Sequence, residues 1–307
     1  MKKVLVTGAG GLVGSSLQRV SMKESGSEYV FVDRKACDLT DQKQVAELFD
    51  NVKPTHVIHT AARVGGIGRN LSTPADQFVH NVLMNTFVLE SARKVGVKRL
   101  LAFSSVCAFP ADLPLFQEEN LHSGPPFPAH GPYAYAKRMV DIQIESYRKQ
   151  YGIEYCSVIP GNIFGENDNF SLTDGHVVPS LVHKAFLAKQ KGEKLHVWGD
   201  GTATREFIYV DDLARVCINL LDVENLPQRI IVSGREVSIK NIAEWIAKFA
   251  ALEGISWDTD MPVGQSRRVT DSKIFNEIFP DYKFFDLEQG IKKTVDWFFS
   301  NYHESRK

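Results

Sequence analysis

The chain has 307 residues, enough for one large α/β domain or for a cofactor domain with a smaller companion. A formal charge of −1 and a pI near 6.8 give no basic footprint for nucleic acid or for an anionic membrane, and no apolar run is long enough to span a bilayer. Cys37, Cys107, Cys156 and Cys217 stand far apart, without the spacing of a zinc site or a disulfide scaffold, so the expectation is no metal and a reducing, cytoplasmic setting.

Met1–Val6 runs straight into glycines and does not read as a secretory signal. Val4–Thr7 is a short apolar strand, followed at once by Gly8-Ala9-Gly10-Gly11-Leu12-Val13-Gly14 and a helix to about Lys23. Strand, glycine loop and helix in this order form the context of a dinucleotide site. Gly8 permits the tight turn, Gly11 admits a pyrophosphate to the backbone, and Gly14 lets helix and strand pack closely. The next strand, Tyr29–Val32, ends in Asp33 and Arg34. An acid here suits the ribose hydroxyl of NAD and an arginine suits the phosphate of NADP, so both cofactors stay open. Asp38 is placed either at the adenine edge or in a loop-forming role.

A helix opens at Asp41 and runs through Phe49, and His56–Thr60 is the third strand, leading into the small residues Ala61 and Ala62, where a ribose can lie on the backbone. Pro74–Val95 reads as a long helix that packs on the sheet or forms half of a dimer contact. Arg99–Ser105 is the fourth strand, and its carboxyl end places Ser105 and Cys107 where doubly wound sheets bind ligands. The next helix opens around Pro132–Lys137 and carries Tyr133 and Lys137 on one face. A cation beside a phenol favours phenolate, so Tyr133 is expected to exchange a proton below its ordinary pKa, with the Ser105 hydroxyl holding a carbonyl oxygen against it. A surface Tyr and Lys on a solvated helix is the plain alternative. Glu154–Ile159 is the fifth strand.

After Pro160 come a loop-rich stretch, a helix at Val177–Lys191, strands at Leu195–Trp198 and Arg205–Val210, and a helix capped by Asp211-Asp212 and running to Leu221. A strand at Arg229–Val232 and helices at Ser238–Leu252 and Leu287–Tyr302 complete the chain. The alternation predicts a Rossmann-type doubly wound parallel sheet over residues 1–160, to which later strands return. A smaller C-terminal α/β substrate-binding cap is expected mainly from residues 161–307.

Gly8-x-x-Gly11-x-x-Gly14, Ser105 and Tyr133-x-x-x-Lys137 together resemble the extended short-chain dehydrogenases that act on nucleotide sugars. Ala62-Arg63-Val64-Gly65-Gly66-Ile67, Ser105–Pro110, Asp168-Asn169-Phe170 with Gly175-His176-Val177, and Val197-Trp198-Gly199 with Arg205-Glu206-Phe207 are similar to the GDP-L-fucose synthases among them, nearly end to end. That resemblance implies conversion of GDP-4-keto-6-deoxy-D-mannose to GDP-L-fucose, by epimerisation at carbons 3 and 5 and NADPH-dependent reduction at carbon 4, in a homodimer. It implies catalytic roles for Ser105, Cys107, Tyr133, Lys137 and His176, with Cys107 and His176 as the proton-exchanging pair. NADP(H) is implied at Gly8, Gly11, Leu12, Val13, Gly14, Asp33, Arg34, Asp38, Leu39, Ala61, Ala62, Tyr133, Lys137, Pro160, Asn162 and His176. The GDP-sugar is implied at Ser105, Asn162, Lys184, Trp198, Arg205 and Arg268, where cations suit a diphosphate and an indole gives a flat packing face. The sequence departs from the family at Gly161 (usually threonine), at Glu166-Asn167 (often Pro-His), at Gly10 and at Arg268 (a lysine elsewhere). Another nucleotide-sugar 4-epimerase or 4-reductase is the nearest alternative, and a non-catalytic NADP(H)-binding module is a further one.

Overall fold

The computed structural model describes residues 1–23, 26–260, 267 and 269–307. Strand β1 (Lys2–Thr7) shows why its sheet is buried on both sides. Val4 and Val6 pack into one apolar cluster, whereas Leu5, pointing the other way, packs into another. Period-two alternation of apolar residues with no polar face belongs to a parallel sheet covered by helices on both faces. After β1 come α1 (Leu12–Ser21), β2 (Ser27–Val32), α2 (Gln42–Val52), β3 (His56–His59), α3 (Ile67–Ser72), α4 (Pro74–Lys94), β4 (Arg99–Phe103), α5 (Gly131–Tyr151) and β5 (Glu154–Pro160). The same division recurs in β4: Leu101 and Phe103 face the first cluster, Leu100 and Ala102 the second.

The rest of the chain contains β6 (Asn162–Phe164), α6 (Val177–Lys191), β7 (Leu195–Trp198), β8 (Thr204–Tyr209), α7 (Val210–Leu220), β9 (Arg229–Val232), β10 (Arg235–Ser238), α8 (Ile239–Ala250), β11 (Ile255–Asp258), α9 (Lys273–Ile278) and α10 (Leu287–Ser300). The main sheet is parallel throughout, in the order β2-β1-β3-β4-β5-β9, so the expected return of a later strand is made by β9. The order reverses between β1 and β3, which puts a ligand crevice beyond their carboxyl ends. A three-stranded sheet, β10-β8-β6, and a β11-β7 pair lie outside it. They share an apolar cluster with α6, α8 and α10, where Phe170 stacks on Phe298 with centroids 4.2 Å apart.

Asp211 and Asp212 do not cap a helix. Helix α7 starts one residue earlier, at Val210, and both carboxylates lie in its first turn. Asp211 accepts hydrogen bonds from Ser16 Oγ at 2.6 Å and Arg19 at 2.7 Å, and Asp212 accepts from the Phe285 N–H at 2.8 Å. Tertiary partners replace the local capping role. Glu166, a departure from the family pattern, accepts from the Tyr209 hydroxyl at 2.8 Å and faces Arg19 at 3.5 Å, adding a link from α1 to the end of β8 beside the one from α1 to α7.

Candidate active site

At the switch point two loops nearly touch. Gly8 has φ +78°, and a Cβ on it would stand 2.6 Å from the Ala61 nitrogen. Gly11 precedes α1 in extended conformation, and a Cβ at Gly14 would fall 2.7 Å from Ala9 Cα, so helix and turn are in contact. The first-turn N–H groups of α1 have no intrahelical acceptor and are free to bind an anion. After β2, Asp33 Oδ1 accepts from the N–H groups of Lys35 and Ala36 at 2.9 and 3.0 Å, so this oxygen is used in folding its own turn, while Arg34 is exposed. Asp38 takes the loop role: its Oδ1 accepts from Thr40 Oγ1 at 2.7 Å and from Thr40 N at 3.0 Å, which holds its carboxyl below the ordinary range. Asn81 on α4 clamps the loop after β3, bonding both the N–H and the carbonyl of Arg63 at 3.0 Å.

Ser105 ends the run from β4, and its Oγ accepts from the Cys107 N–H at 3.2 Å, opening a single 3-10 turn at Val106–Ala108. Its hydroxyl and the Tyr133 phenol line the same cavity. Tyr133 and Lys137 are not on a solvated face: they are 8% and 2% exposed. Lys137 Nζ donates to the Phe103 carbonyl at 2.7 Å and lies 5.8 Å from the Tyr133 ring centroid. Burial lowers the Lys137 pKa to about 8. Tyr133 moves the opposite way from the expected phenolate: burial first, then the nearby Cys107, push its pKa up, and only the Ser105 hydroxyl opposes them. Desolvation outweighs a cation held at this distance. The resting side chain is a phenol.

His176 sits at the N-terminus of α6 without capping it by its side chain. It is accessible across a cavity yet ringed by protein on its other sides, and this surround holds its pKa below the ordinary histidine value. The cavity, of about 380 Å³, is lined by all of Ser105, Cys107, Tyr133, Lys137 and His176, brought together from β4, α5 and α6. Gly11, Leu12, Val13, Ala62, Pro160 and Asn162 line it too, so its wall joins the glycine turn to the Tyr–Lys pair. Asn162 donates to the Glu206 carbonyl at 2.8 Å, and Gly161 beside it leaves little spare room, since a Cβ there would be 3.3 Å from that carbonyl oxygen.

Four charged lining residues went unassigned in the sequence: Arg69, Asp168, Asp174 and Arg306. Asp168 was visible only as part of a motif, and Arg306 carried no signal. Asp168 is 4% exposed, and burial, opposed by its Asn169 N–H bond and by Arg306, raises its pKa to about 7. Gly8, Gly14, Asp33, Arg34, Asp38, Leu39 and Ala61 are not on the cavity wall, and neither are Lys184, Trp198 and Arg205. Lys184 and Trp198 do meet each other, with the ammonium 4.6 Å from the indole centroid, and Trp198 is 51% exposed, which rules out simple core packing. Arg205 donates to the Thr204 carbonyl at 2.6 Å. Arg268 lies outside the described residues. Among the described residues there is no cluster able to hold a metal and no helix long and apolar enough to cross a membrane.

A glycine turn at a sheet switch point, sharing one cavity with Ser105 and a buried Tyr–Lys pair, defines a class of protein. The chain belongs to the NAD dependent epimerase/dehydratase family, whose model matches residues 4–234. Within that class it is similar to GDP-L-fucose synthases. It is 37% identical to the GDP-L-fucose synthase of Dictyostelium discoideum, covering 100% of this chain and 98% of that one. The Sinorhizobium fredii enzyme of the same name is 37% identical, over 98% of this chain and 96% of the other. A crystal structure of a GDP-L-fucose synthetase from Naegleria fowleri bound to NADP superposes with a TM-score of 0.94 at 34% identity, covering 100% of this chain and 95% of that one.

Proposed function

We propose that this protein converts GDP-4-keto-6-deoxy-D-mannose to GDP-L-fucose, epimerising carbons 3 and 5 and reducing the 4-ketone with NADPH. The observation that carries the reading is the cavity itself, which gathers Cys107 and His176 alongside Ser105, Tyr133 and Lys137. A plain reductase needs only the last three. Epimerising a carbon beside a ketone needs a base on one face and an acid on the other. Cys107 and His176 are assigned to those roles, and the surrounding protein, which lowers the His176 pKa, favours a neutral imidazole able to accept a proton. Ser105 and the Tyr133 phenol hold the ketone oxygen and stabilise the enolate that forms when the proton leaves. Tyr133 then donates its proton to that oxygen during reduction, and the Lys137 ammonium stabilises the phenolate left behind.

NADPH fits the turn, where Gly14 has no space for a Cβ and the α1 N-terminus is free to bind a pyrophosphate. Bound there, it supplies the hydride for carbon 4. Gly8, Gly11, Leu12, Val13 and Gly14 would hold its pyrophosphate, Ala61 and Ala62 a ribose, and Arg34 its 2′-phosphate. Asp33, Asp38 and Leu39 border the adenosine end. Pro160, Asn162 and His176 border the nicotinamide end. Lys184, Trp198, Arg205 and Arg268 are assigned to the GDP moiety. On this reading residues 1–160 with β9 form the cofactor unit and most of 161–307 the substrate cap. A cytoplasmic homodimer belongs to the same reading, with exposed Phe78, Tyr135, Met139 and Ile142 on α4 and α5 offering an apolar face to a second copy.

The test is incubation of the protein with GDP-4-keto-6-deoxymannose and NADPH, with NADH in parallel, following nicotinamide absorbance and identifying the sugar by NMR. GDP-L-fucose, formed faster with NADPH, is the expected result. GDP-rhamnose as product would reduce the activity to ketone reduction and return Cys107 and His176 to structural roles.

A further inference from the structure

The loop between β6 and α6 ends on His176, and its winding is fixed from within. Gly175 N–H donates to Ser171 O at 3.0 Å, Ser171 N–H donates to Asn169 Oδ1 at 3.2 Å, and a Cβ on Gly175 would fall 2.7 Å from Asn169 O. The loop is fastened to the rest of the protein by a segment distant in sequence. Beyond α10 the chain turns back, so that Phe170 N–H donates to Arg306 O at 2.9 Å and Arg306 Nη2 donates to Asn167 O at 2.8 Å. On the other side, His183 Nδ1–H donates to Phe170 O at 2.7 Å, and Tyr302 stacks on Phe186 with centroids 4.0 Å apart. Asp168 lies between the two Arg306 tethers. Its Oδ1 accepts from the Asn169 N–H at 2.7 Å, while its buried Oδ2 has no partner. Arg306 and Asp168 both line the cavity that holds Cys107 and His176.

We propose that Arg306 and Asp168 act as a positioning pair for His176: the guanidinium ties down the loop's main chain and balances the Asp168 carboxylate, fixing where the imidazole meets the substrate. The inference rests on the epimerase reading above and adds to it two residues that touch no reacting atom. A carboxylate buried with one oxygen unpartnered is costly to keep ionised, and a cation nearby offsets that cost. Arg69, Lys137, Asp174 and His176 share the cavity, but Arg306 is the charge that draws the Asp168 pKa down against burial. Removing it would push Asp168 further toward its neutral form and loosen the tether in the same stroke. Misplacement of a proton-transfer group by about 1 Å costs on the order of a hundredfold in rate, so the effect is kinetic more than structural.

The experiment uses the full chain as Arg306→Gln, Arg306→Lys and Asp168→Asn, with two readouts. Amide hydrogen exchange without substrate should be faster over residues 167–171 in Arg306→Gln, by about tenfold. With GDP-4-keto-6-deoxymannose, uptake of solvent deuterium at carbons 3 and 5 should slow by about tenfold or more while KM stays within about twofold. The Asp168 step in the acid limb of its pH profile should move to higher pH in Arg306→Gln, recover in Arg306→Lys and be lost in Asp168→Asn, leaving the fall that belongs to His176 at lower pH. Faster amide exchange with an unmoved deuterium rate and pH midpoint would make Arg306 a structural tether and overturn the proposal. Unchanged amides would remove the tether itself. A wild-type protein that takes up no deuterium would sink the epimerase reading, and the positional role with it, while the amide comparison would still decide whether Arg306 holds the loop.

Discussion

Lys137 Nζ lies 5.8 Å from the Tyr133 ring centroid but donates its hydrogen bond to the Phe103 carbonyl, at 2.7 Å. The ammonium is therefore anchored to the end of β4 and held under the phenol without bonding it. Its charge is available once Tyr133 has given up a proton, and in the resting state burial keeps that proton in place. A buried phenol beside a buried cation suits a general acid.

Tyr133→Phe should therefore suppress reduction by about 10²–10⁴-fold, the usual worth of a positioned acid. On the proposed mechanism, uptake of solvent deuterium into the sugar should remain measurable, because Ser105 would still hold the ketone oxygen. Equal loss of both activities would assign enolisation to Tyr133 as well.

Cys107→Ser and His176→Asn should each slow deuterium uptake by about a hundredfold, and Cys107→Ser should leave NADPH binding unchanged. Because the His176 pKa is held below the ordinary value of 6.5, its imidazole is neutral at pH 7. Its contribution as a base should fade only on acidification below that value. Full GDP-L-fucose formation by the double variant would show that neither side chain moves the protons.

At Gly14 a single methyl group has nowhere to go, since its Cβ would meet the Gly8 carbonyl and come 2.7 Å from Ala9 Cα. Gly14→Ala should cost about 1–3 kcal/mol of stability and weaken NADPH binding, read by thermal melting and by fluorescence titration. Gly10→Ala is the control: its Cβ would meet nothing closer than Asp33 Cβ at 3.9 Å, and it should change neither readout.

Asp168 also makes stability depend on pH. Its folded pKa of about 7 lies above the ordinary 3.8, so the folded state binds the extra proton between those values. Stability from this group is fully present below 3.8 and is lost as pH rises through 7, by up to about 4 kcal/mol across the window. Asp168→Asn should flatten the fall in melting temperature between pH 4 and 7. An unchanged slope would mean that Asp168 is ionised in the folded protein throughout.

Much of this molecule could be read directly from local patterns. Val4-Leu5-Val6, the glycines at 8, 11 and 14, and the four-residue step from Tyr133 to Lys137 each encode a local geometry, because strand alternation, tight turns and helix spacing depend on near neighbours. They located the Rossmann sheet, the cofactor turn and the Tyr–Lys pair. The short strands β6, β10 and β11 were missed, since three or four residues hold a strand only when a distant partner pairs with them. Asp211 and Asp212 were given a local capping role that Ser16, Arg19 and Phe285 override from far along the chain.

The sequence by itself determined which chemical groups are present and which secondary structures carry them. Only the tertiary structure decided their protonation, because burial is a property of the assembled fold: it keeps Tyr133 a phenol, lowers Lys137 to about 8 and raises Asp168 to about 7. It also decided that Arg306, more than a hundred residues away in sequence, forms part of the wall around His176, a proximity that no spacing in the chain encodes.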